Sequence, residues 1–184
     1  TLTGFKWIAR APGLGFGYEE AIGFCPDPAH VRDKDGIATS VVAASLVASL
    51  KAQGRSVWDE LERLARLHGL HVSSPLTFRV EDIEQISSGM ARLRAQPPSV
   101  LAGSPVVEVS DLAQGYRGLP PTDGVLVLTE AGDRVIARPS GTEPKLKCYL
   151  EVILPVADGE PLPWEQARER LDAIKGAFAE IIGL

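Results

Sequence analysis

The pattern of apolar and polar positions changes along the chain. The first 32 residues are rich in glycine and proline, which predicts loop interrupted by short strands. An apolar, alanine-rich run from Ile37 to Lys51 then predicts a helix that is buried on more than one side. Ser56 and Asp59 have capping-box spacing and predict the start of a second helix, which ends at Gly69. We therefore expect a pair of helices to close a first unit.

A different pattern begins at Ser73. Apolar residues at 76, 78 and 80 alternate with polar ones, which predicts a half-buried strand. Asp82 is then placed to cap a helix whose core face would contain Ile83, Ile86, Met90 and Leu93. We predict that a new domain begins here, so that the chain divides into residues 1–72 and 73–184.

The rest of the second half predicts a sheet followed by a helix. Val107 and Val109 indicate a strand, and residues 125–129 and 134–138 flank a hairpin turn at 130–133. The next strand places four apolar residues on one face: Leu146, Cys148, Leu150 and Val152. The last helix has one apolar stripe, formed by Trp164, Ala167, Leu171, Ile174 and Phe178. The second unit is thus predicted to be α+β, an antiparallel sheet backed by two helices.

Length and charge narrow the possible functions. The chain has 184 residues and a formal net charge of -5, so one domain or two small ones are possible, and neither nucleic acid nor an anionic membrane is an expected partner. The longest apolar stretch is too short to span a bilayer.

The first residues contain neither an initiator Met nor a secretory signal, which is typical of a chain that begins inside a domain. Cys25 and Cys148 match no metal or disulfide spacing, which favours reduced thiols in a cytoplasmic protein.

The segment from Arg138 to Lys145 reads Arg-Pro-Ser-Gly-Thr-Glu-Pro-Lys and lies between two predicted strands. It combines a guanidinium, hydroxyl groups and free backbone N–H groups, which together can bind a phosphate. Gly141 allows close approach of the backbone, and the two prolines reduce the entropy lost on binding. From the spacing alone, an ordinary hairpin loop with solvated charges is an equal alternative.

The run from Arg138 to Tyr149 resembles, nearly residue for residue, the phosphate-binding loop of the α-D-phosphohexomutase superfamily. In that family the loop belongs to the last of four domains and clamps the substrate phosphate that is not being transferred. The resemblance implies substrate binding by Arg138, Ser140, Gly141 and Thr142, with Lys145 as a further candidate.

Residues 17–23 resemble the sugar-binding loop in the third domain of the same family. The resemblance implies substrate binding by Glu19 and its neighbour Glu20. A carboxylate can accept two hydrogen bonds from adjacent sugar hydroxyls and so orient the ring. Ala21 occupies the position where many members have serine. Without the resemblance, a surface acidic pair would be the better interpretation of Glu19 and Glu20.

Residues 3–7 and 32–36 resemble family segments that bring cations toward the substrate. The resemblance implies substrate binding by Lys6 and Arg32. Lys34 is the catalytic candidate, because a lysine near a sugar oxygen and a phosphate can stabilise charge or pass a proton.

No metal site is predicted in this chain. Asp33 and Asp35 alone form a poor Mg²⁺ site. His68 and His71 have the spacing of metal ligands, but further ligands are missing, so we interpret them as surface residues.

The resemblance covers essentially the whole chain, as an α/β remnant of the third domain followed by the α+β fourth domain. It implies part of a phosphohexomutase that interconverts the 1-phosphate and 6-phosphate of glucose or mannose through a phosphoserine and a bisphosphorylated intermediate. We find neither the phosphoserine segment nor the three-aspartate metal loop of the first two domains. The resemblance therefore implies that those missing N-terminal domains are partners of this chain. It also implies Mg²⁺ as the cofactor and hexose 1,6-bisphosphate as the activator. The chain alone is expected to be inactive as a mutase.

Two other functions stay open. Phosphopentomutase is a close alternative, because family members with a Tyr-Glu-Glu-Ala-Ile-Gly type of loop, as at residues 18–23, include pentose enzymes. A non-catalytic phosphate-binding module is the other. The phosphoglucosamine type is disfavoured, since its sugar loop usually reads differently.

Overall fold

The computed structural model describes residues 1–19, 23–140 and 143–183. The chain forms two compact units, Thr1–Leu61 and Glu62–Leu184. The division that the sequence predicts between residues 72 and 73 stays a prediction.

The first unit is built around a short helix and a two-stranded hairpin. Helix α1 spans Phe5–Ile8, and strands β1 (Gly17–Glu19) and β2 (Gly23–Cys25) pair antiparallel. Phe5, Ile8, Ala9 and Cys25 form its small buried cluster. A Cβ on Gly17 would lie 2.9 Å from Cγ2 of Ile8, so the absence of a side chain lets β1 pack directly on α1. The sequence predicts short strands in this region but not α1.

Helix α2 spans Gly36–Ala52. It begins at Asp35, whose carboxylate accepts hydrogen bonds from the backbone N–H groups of Ile37 and Ala38, each at 3.0 Å. The predicted helix is confirmed, but its predicted burial is wrong. Among the described residues of α2, Leu50 alone is buried, whereas Ile37 is 83% exposed. The apolar residues surround the helix, and one small hairpin cannot cover them.

Helix α3 spans Val57–His68, and its predicted capping box is confirmed. Asp59 N donates to Ser56 Oγ at 3.2 Å, and Ser56 N donates to the Asp59 carboxylate at 2.6 Å. That backbone hydrogen bond from Ser56 lowers the pKa of Asp59. No single helix in the described part of the chain is long and apolar enough to cross a membrane. Helices α2 and α3 are bent at the break between them, and taken together as a pair they meet the requirement by length and composition.

The second unit is an antiparallel sheet with two helices. Its strands are β3 (Leu70–Arg79), β4 (Val100–Leu101), β5 (Ser104–Asp111), β6 (Val125–Thr129), β7 (Arg134–Pro139) and β8 (Lys145–Leu154). They lie in the order β3-β8-β7-β6-β5-β4. Helix α4 spans Glu84–Ala95 and α5 spans Trp164–Ile182, and both contribute residues to the core. The predicted fold class, an α/β remnant followed by an α+β domain, is confirmed.

Side chains alternate across the sheet as the pattern predicts. On β8 the even-numbered residues from Leu146 to Leu154 are buried, and the odd-numbered ones lie on the opposite, more open face. Ile86, Met90 and Leu93 of α4 and Leu171, Ile174 and Phe178 of α5 complete the core. Burying each such side chain contributes about 1.5–3 kcal/mol.

Two residues predicted for this core are largely exposed. Ile83 is 63% exposed, because it is the N-cap residue of α4 and lies before the buried helical face begins. Trp164 is 46% exposed at the first residue of α5. The other predicted members of both stripes are buried.

Candidate functional site

A cluster of cations lines a cavity in the first unit. The cavity has a volume of about 620 Å³ and is lined by Lys6 and Arg10, at and just after α1, and by Arg32 and Lys34 from the loop before α2. Three of these residues are candidates from the sequence, and Arg10 is not. Arg10 lies in the turn that follows α1, outside the helix, so no helical spacing in the sequence relates it to Lys6.

Lys34 is positioned by the hairpin. Its Nζ lies 3.6 Å from Glu19 Oε1 and 4.7 Å from the centroid of the Phe5 ring. A Cβ on Gly23 would lie 2.4 Å from Cδ of Lys34, so the lysine stem rests against the backbone of β2. The Glu19 side chain is 13% exposed, whereas that of Lys34 is 46% exposed. Glu19 is therefore held close to Lys34, whose ammonium group remains accessible to a ligand.

The acidic residues near this cavity do not fit a metal ion. Asp33 accepts a hydrogen bond from the backbone N–H of Lys34 at 2.7 Å, and Asp35 is occupied as the cap of α2. Within residues 1–19, 23–140 and 143–183, no group of three His, Cys, Asp or Glu side chains could hold a metal ion. Asp33 and Asp35 are therefore poor candidates for ligands of Mg²⁺, which the family resemblance implies, because backbone N–H groups already engage both carboxylates.

The second cluster lies where β7 and β8 meet. Ser140 N donates to the carbonyl of Lys145 at 2.9 Å, which closes the base of the loop. Val80 N donates to the carbonyl of Pro144 at 3.1 Å and ties the loop to the segment after β3. Arg138 lies near the end of β7 and Lys145 at the start of β8. The structure thus brings Arg138, Ser140 and Lys145 together at one end of the sheet.

Lys145 is paired with an acidic residue of the same loop. Its side chain is 12% exposed, and its Nζ forms an ion pair with the Glu143 carboxylate. The hydrogen bond from Lys145 lowers the pKa of Glu143, and the nearby charges of Arg79 and Lys147 lower it further. Neither Arg79 nor Lys147 is a candidate from the sequence. Arg79 has no local signal, because its position depends on the pairing of β3 with β8. Lys147 could have been found, because it follows Lys145 by two residues and lies on the same face of β8.

Glu20, Gly141 and Thr142 lie outside the described residues. The remaining candidates form two groups. Lys6, Glu19, Arg32 and Lys34 belong to the first unit, and Arg138, Ser140 and Lys145 belong to the second. Their roles stay predictions.

Comparison with known proteins identifies the family. Residues 1–67 match the model "Phosphoglucomutase/phosphomannomutase, alpha/beta/alpha domain III", and residues 79–153 match "Phosphoglucomutase/phosphomannomutase, C-terminal domain". The chain belongs to the phosphoglucomutase/phosphomannomutase family.

Curated relatives carry three different names. The chain is 44% identical to a probable phosphomannomutase of Haemophilus influenzae, over 82% of this chain and 30% of the relative. It is 34% identical to a phosphoglucomutase of Staphylococcus haemolyticus, over 82% of this chain and 31% of the relative. It is 31% identical to a phosphopentomutase of Mus musculus, over 98% of this chain and 32% of the relative. The chain thus spans about a third of the length of these relatives.

A solved structure has the same fold. The open form of parafusin, a phosphoglucomutase from Paramecium, superposes with a TM-score of 0.58 at 18% identity, covering 90% of this chain and 30% of that one.

Proposed function

We propose that this chain is the substrate-holding part of a phosphohexomutase that interconverts hexose 1-phosphate and 6-phosphate, with glucose or mannose as the sugar. The observation that carries the proposal is the convergence of Arg138, Ser140 and Lys145 at the closed base of the β7–β8 loop. Family membership supports it. The whole reaction would be an intramolecular phosphotransfer through a phosphoserine and a bisphosphorylated sugar.

In this proposal the second unit holds the phosphate that is not being transferred. The planar guanidinium of Arg138 donates two parallel hydrogen bonds to phosphate oxygens, and the Ser140 hydroxyl donates another. Lys145 contributes a point charge. Gly141 and Thr142 are proposed to complete the loop. Fixing one end of the sugar in this way sets the position of its other end for reaction.

The first unit is proposed to hold the sugar. Glu19, with Glu20, accepts hydrogen bonds from adjacent hydroxyls, while Lys6 and Arg32 supply positive charge. Lys34 is the proposed proton carrier, because its accessible ammonium group lies 3.6 Å from the carboxylate that would bind the hydroxyls.

The remaining chemistry is proposed to belong to other domains. Residues 1–72 would be the end of domain III and residues 73–184 the whole of domain IV of a cytoplasmic enzyme. Domains that precede them would supply the phosphoserine and the ligands of Mg²⁺, whose role is to neutralise phosphate charge. Hexose 1,6-bisphosphate would serve as activator. This chain alone would not turn over glucose 1-phosphate, even with the bisphosphate present, and measurable turnover would contradict that part of the proposal.

The phosphate site can be tested on this chain. Arg138→Ala should reduce the affinity for glucose 6-phosphate by about 1.5–3 kcal/mol, the value of a charged hydrogen bond. Isothermal titration calorimetry would measure the change. Arg134→Ala is the matched control, because Arg134 lies on the same strand but is paired with Glu151 at 2.8 Å. Unchanged affinity in the Arg138 variant would refute the phosphate site.

A pentose substrate is the second candidate, favoured by the 31% identity to a phosphopentomutase over 98% of this chain. Turnover of glucose, mannose and ribose phosphates by a full-length protein containing this chain would distinguish the two. Phosphate binding with no turnover of any of the three would instead support a non-catalytic phosphate-binding module.

A further inference from the structure

The open face of the sheet carries facing cations next to the β7–β8 loop. Register places Arg79 of β3 directly opposite Lys145 of β8, and Lys147 of β8 directly opposite Arg138 of β7. Residues paired in this way have Cβ atoms about 4.5–5.5 Å apart, and like charges at that separation destabilise a sheet. Two such pairs in neighbouring rows therefore favour an anion between them, because it offsets the repulsion between the cations.

In the structure Glu143 is the anion nearest to these cations among the groups that act on them. Its carboxylate pairs with Lys145, and the charges of Arg79 and Lys147 act on it as well. A carboxylate and a phosphate ester offer similar oxygen acceptors to the same donors. The position of the Glu143 carboxylate thus marks a place where an anionic group of a ligand can be received.

Charges farther along the same face are balanced. The next row pairs Pro75, Tyr149 and Ile136, which carry no charge at neutral pH. In the row beyond it, Glu151 lies 2.8 Å from Arg134 Nη2. His71, in the following row, has its Nδ1 3.5 Å from Glu151. The excess of positive charge is therefore confined to the end of the sheet that bears the loop.

We propose that Arg79 and Lys147 extend the phosphate site of the loop onto the open face of the sheet, and that Glu143 occupies this extension until an anionic group of the ligand displaces it. The inference rests on the proposed function, because it adds two residues to the same site. Arg79 is exposed and Lys147 half-buried, so both can reach a ligand. A phosphate dianion displaces the carboxylate because it carries about twice the charge among the same cations.

The test is a titration of the 184-residue chain with inorganic phosphate and with glucose 6-phosphate, followed by ³¹P NMR at low ionic strength. Arg79→Met and Lys147→Met should each weaken binding about fourfold to tenfold, as expected for one charge at about 5 Å from the phosphate on an open face where water screens the interaction almost as in bulk. Arg79→Lys and Lys147→Arg should restore most of the affinity. Glu143→Gln should strengthen binding severalfold, because it removes the competing anion.

Two controls separate binding from folding. Arg134→Met removes a cation from the same face and should leave the affinity unchanged. Thermal unfolding of the Arg79 and Lys147 variants should occur no lower than in the parent chain, because each substitution removes a repulsive pair. A purely structural role for either residue would instead lower the unfolding temperature.

The outcomes distinguish this inference from the proposed function. If Arg138→Ala weakens binding while the Arg79, Lys147 and Glu143 variants bind like the parent, the extension is wrong and the loop site stands. If Arg138→Ala has no effect but Lys147→Met does, the anion binds on the sheet face, which supports the extension and overturns the loop site. If none of the four has an effect, both are wrong.

Discussion

Replacing Arg170 by methionine should destabilise the second unit more than any substitution of a surface charge. Arg170 on α5 donates from Nε at 3.0 Å and from Nη2 at 2.8 Å to Oδ2 of Asp133, which is fully buried. The Thr129 hydroxyl donates to the same oxygen at 3.1 Å. No donor in the described part of the chain reaches Oδ1 of Asp133. The β6–β7 turn is thus tied to α5 through one buried carboxylate.

The magnitude follows from what the substitution leaves behind. Arg170→Met keeps the length of the side chain but removes both guanidinium donors, so the buried charge retains the Thr129 hydroxyl. Leaving a buried charge unpaired costs about 3–5 kcal/mol. The lower half of that range is expected here, because the Arg170 side chain is 22% exposed and borders a cavity of about 340 Å³ that lets water approach. We therefore expect a loss of about 3–4 kcal/mol.

Urea unfolding at neutral pH, followed by circular dichroism, measures this loss. Lys175→Met is the control on the same helix, because Lys175 forms an exposed pair with Asp172 at 2.9 Å and should contribute about 0–1 kcal/mol. The double variant Arg170→Met, Asp133→Asn should cost less than the sum of its single variants, since it removes the charge that the first substitution strands. A loss below about 1 kcal/mol for Arg170→Met, with additive single effects, would refute the reasoning.

Two further predictions concern the core of the same unit. Burial raises the pKa of Cys148 to about 12, so a thiol reagent at pH 8 should modify this cysteine only after the unit unfolds. Peptide mapping would distinguish its modification from that of Cys25. Rapid modification of Cys148 in the native chain would contradict its burial. Gly89→Ala should destabilise, because a Cβ there would lie 2.8 Å from Cγ2 of Ile182, and the overpacking cost of about 1–3 kcal/mol outweighs the gain in helix propensity. Gly176→Ala in α5, where a Cβ meets nothing within 4 Å, should instead raise the melting temperature. Equal changes in stability at the two glycines would show that packing does not determine the effect of these substitutions.

The parts of the fold that could be predicted have local signals. The capping box of α3 lies within four residues, and the alternation along β8 assigns each side chain to a face without knowledge of the neighbouring strands. The hairpin between β6 and β7 also depends on adjacent residues, and its predicted strands are confirmed. Local patterns therefore suffice for most of the second unit.

Other parts depend on partners distant in sequence. The apolar surface of α2 predicts burial, but whether a helix is covered depends on elements that its own sequence does not describe. Helix α1 has four residues, too few to show a helical period. Arg79 could not be predicted as a neighbour of Lys145, because their pairing requires the register of β3 against β8. The loop motif predicts the centre of the site, and tertiary pairing determines its extent.

The alternation along β8 also limits how the protein can vary. A single residue inserted ahead of Lys145, if it slid the strand by one position, would turn Cys148 and Leu150 toward solvent and drive two ammonium groups into the apolar interior. Ten paired positions with β3 and six with β7 oppose such a slide. Changes in length between β7 and β8 must therefore be absorbed as a bulge within the turn itself. Changes within the turn can therefore alter ligand preference, while the basic side chains of β8 keep their position relative to the core.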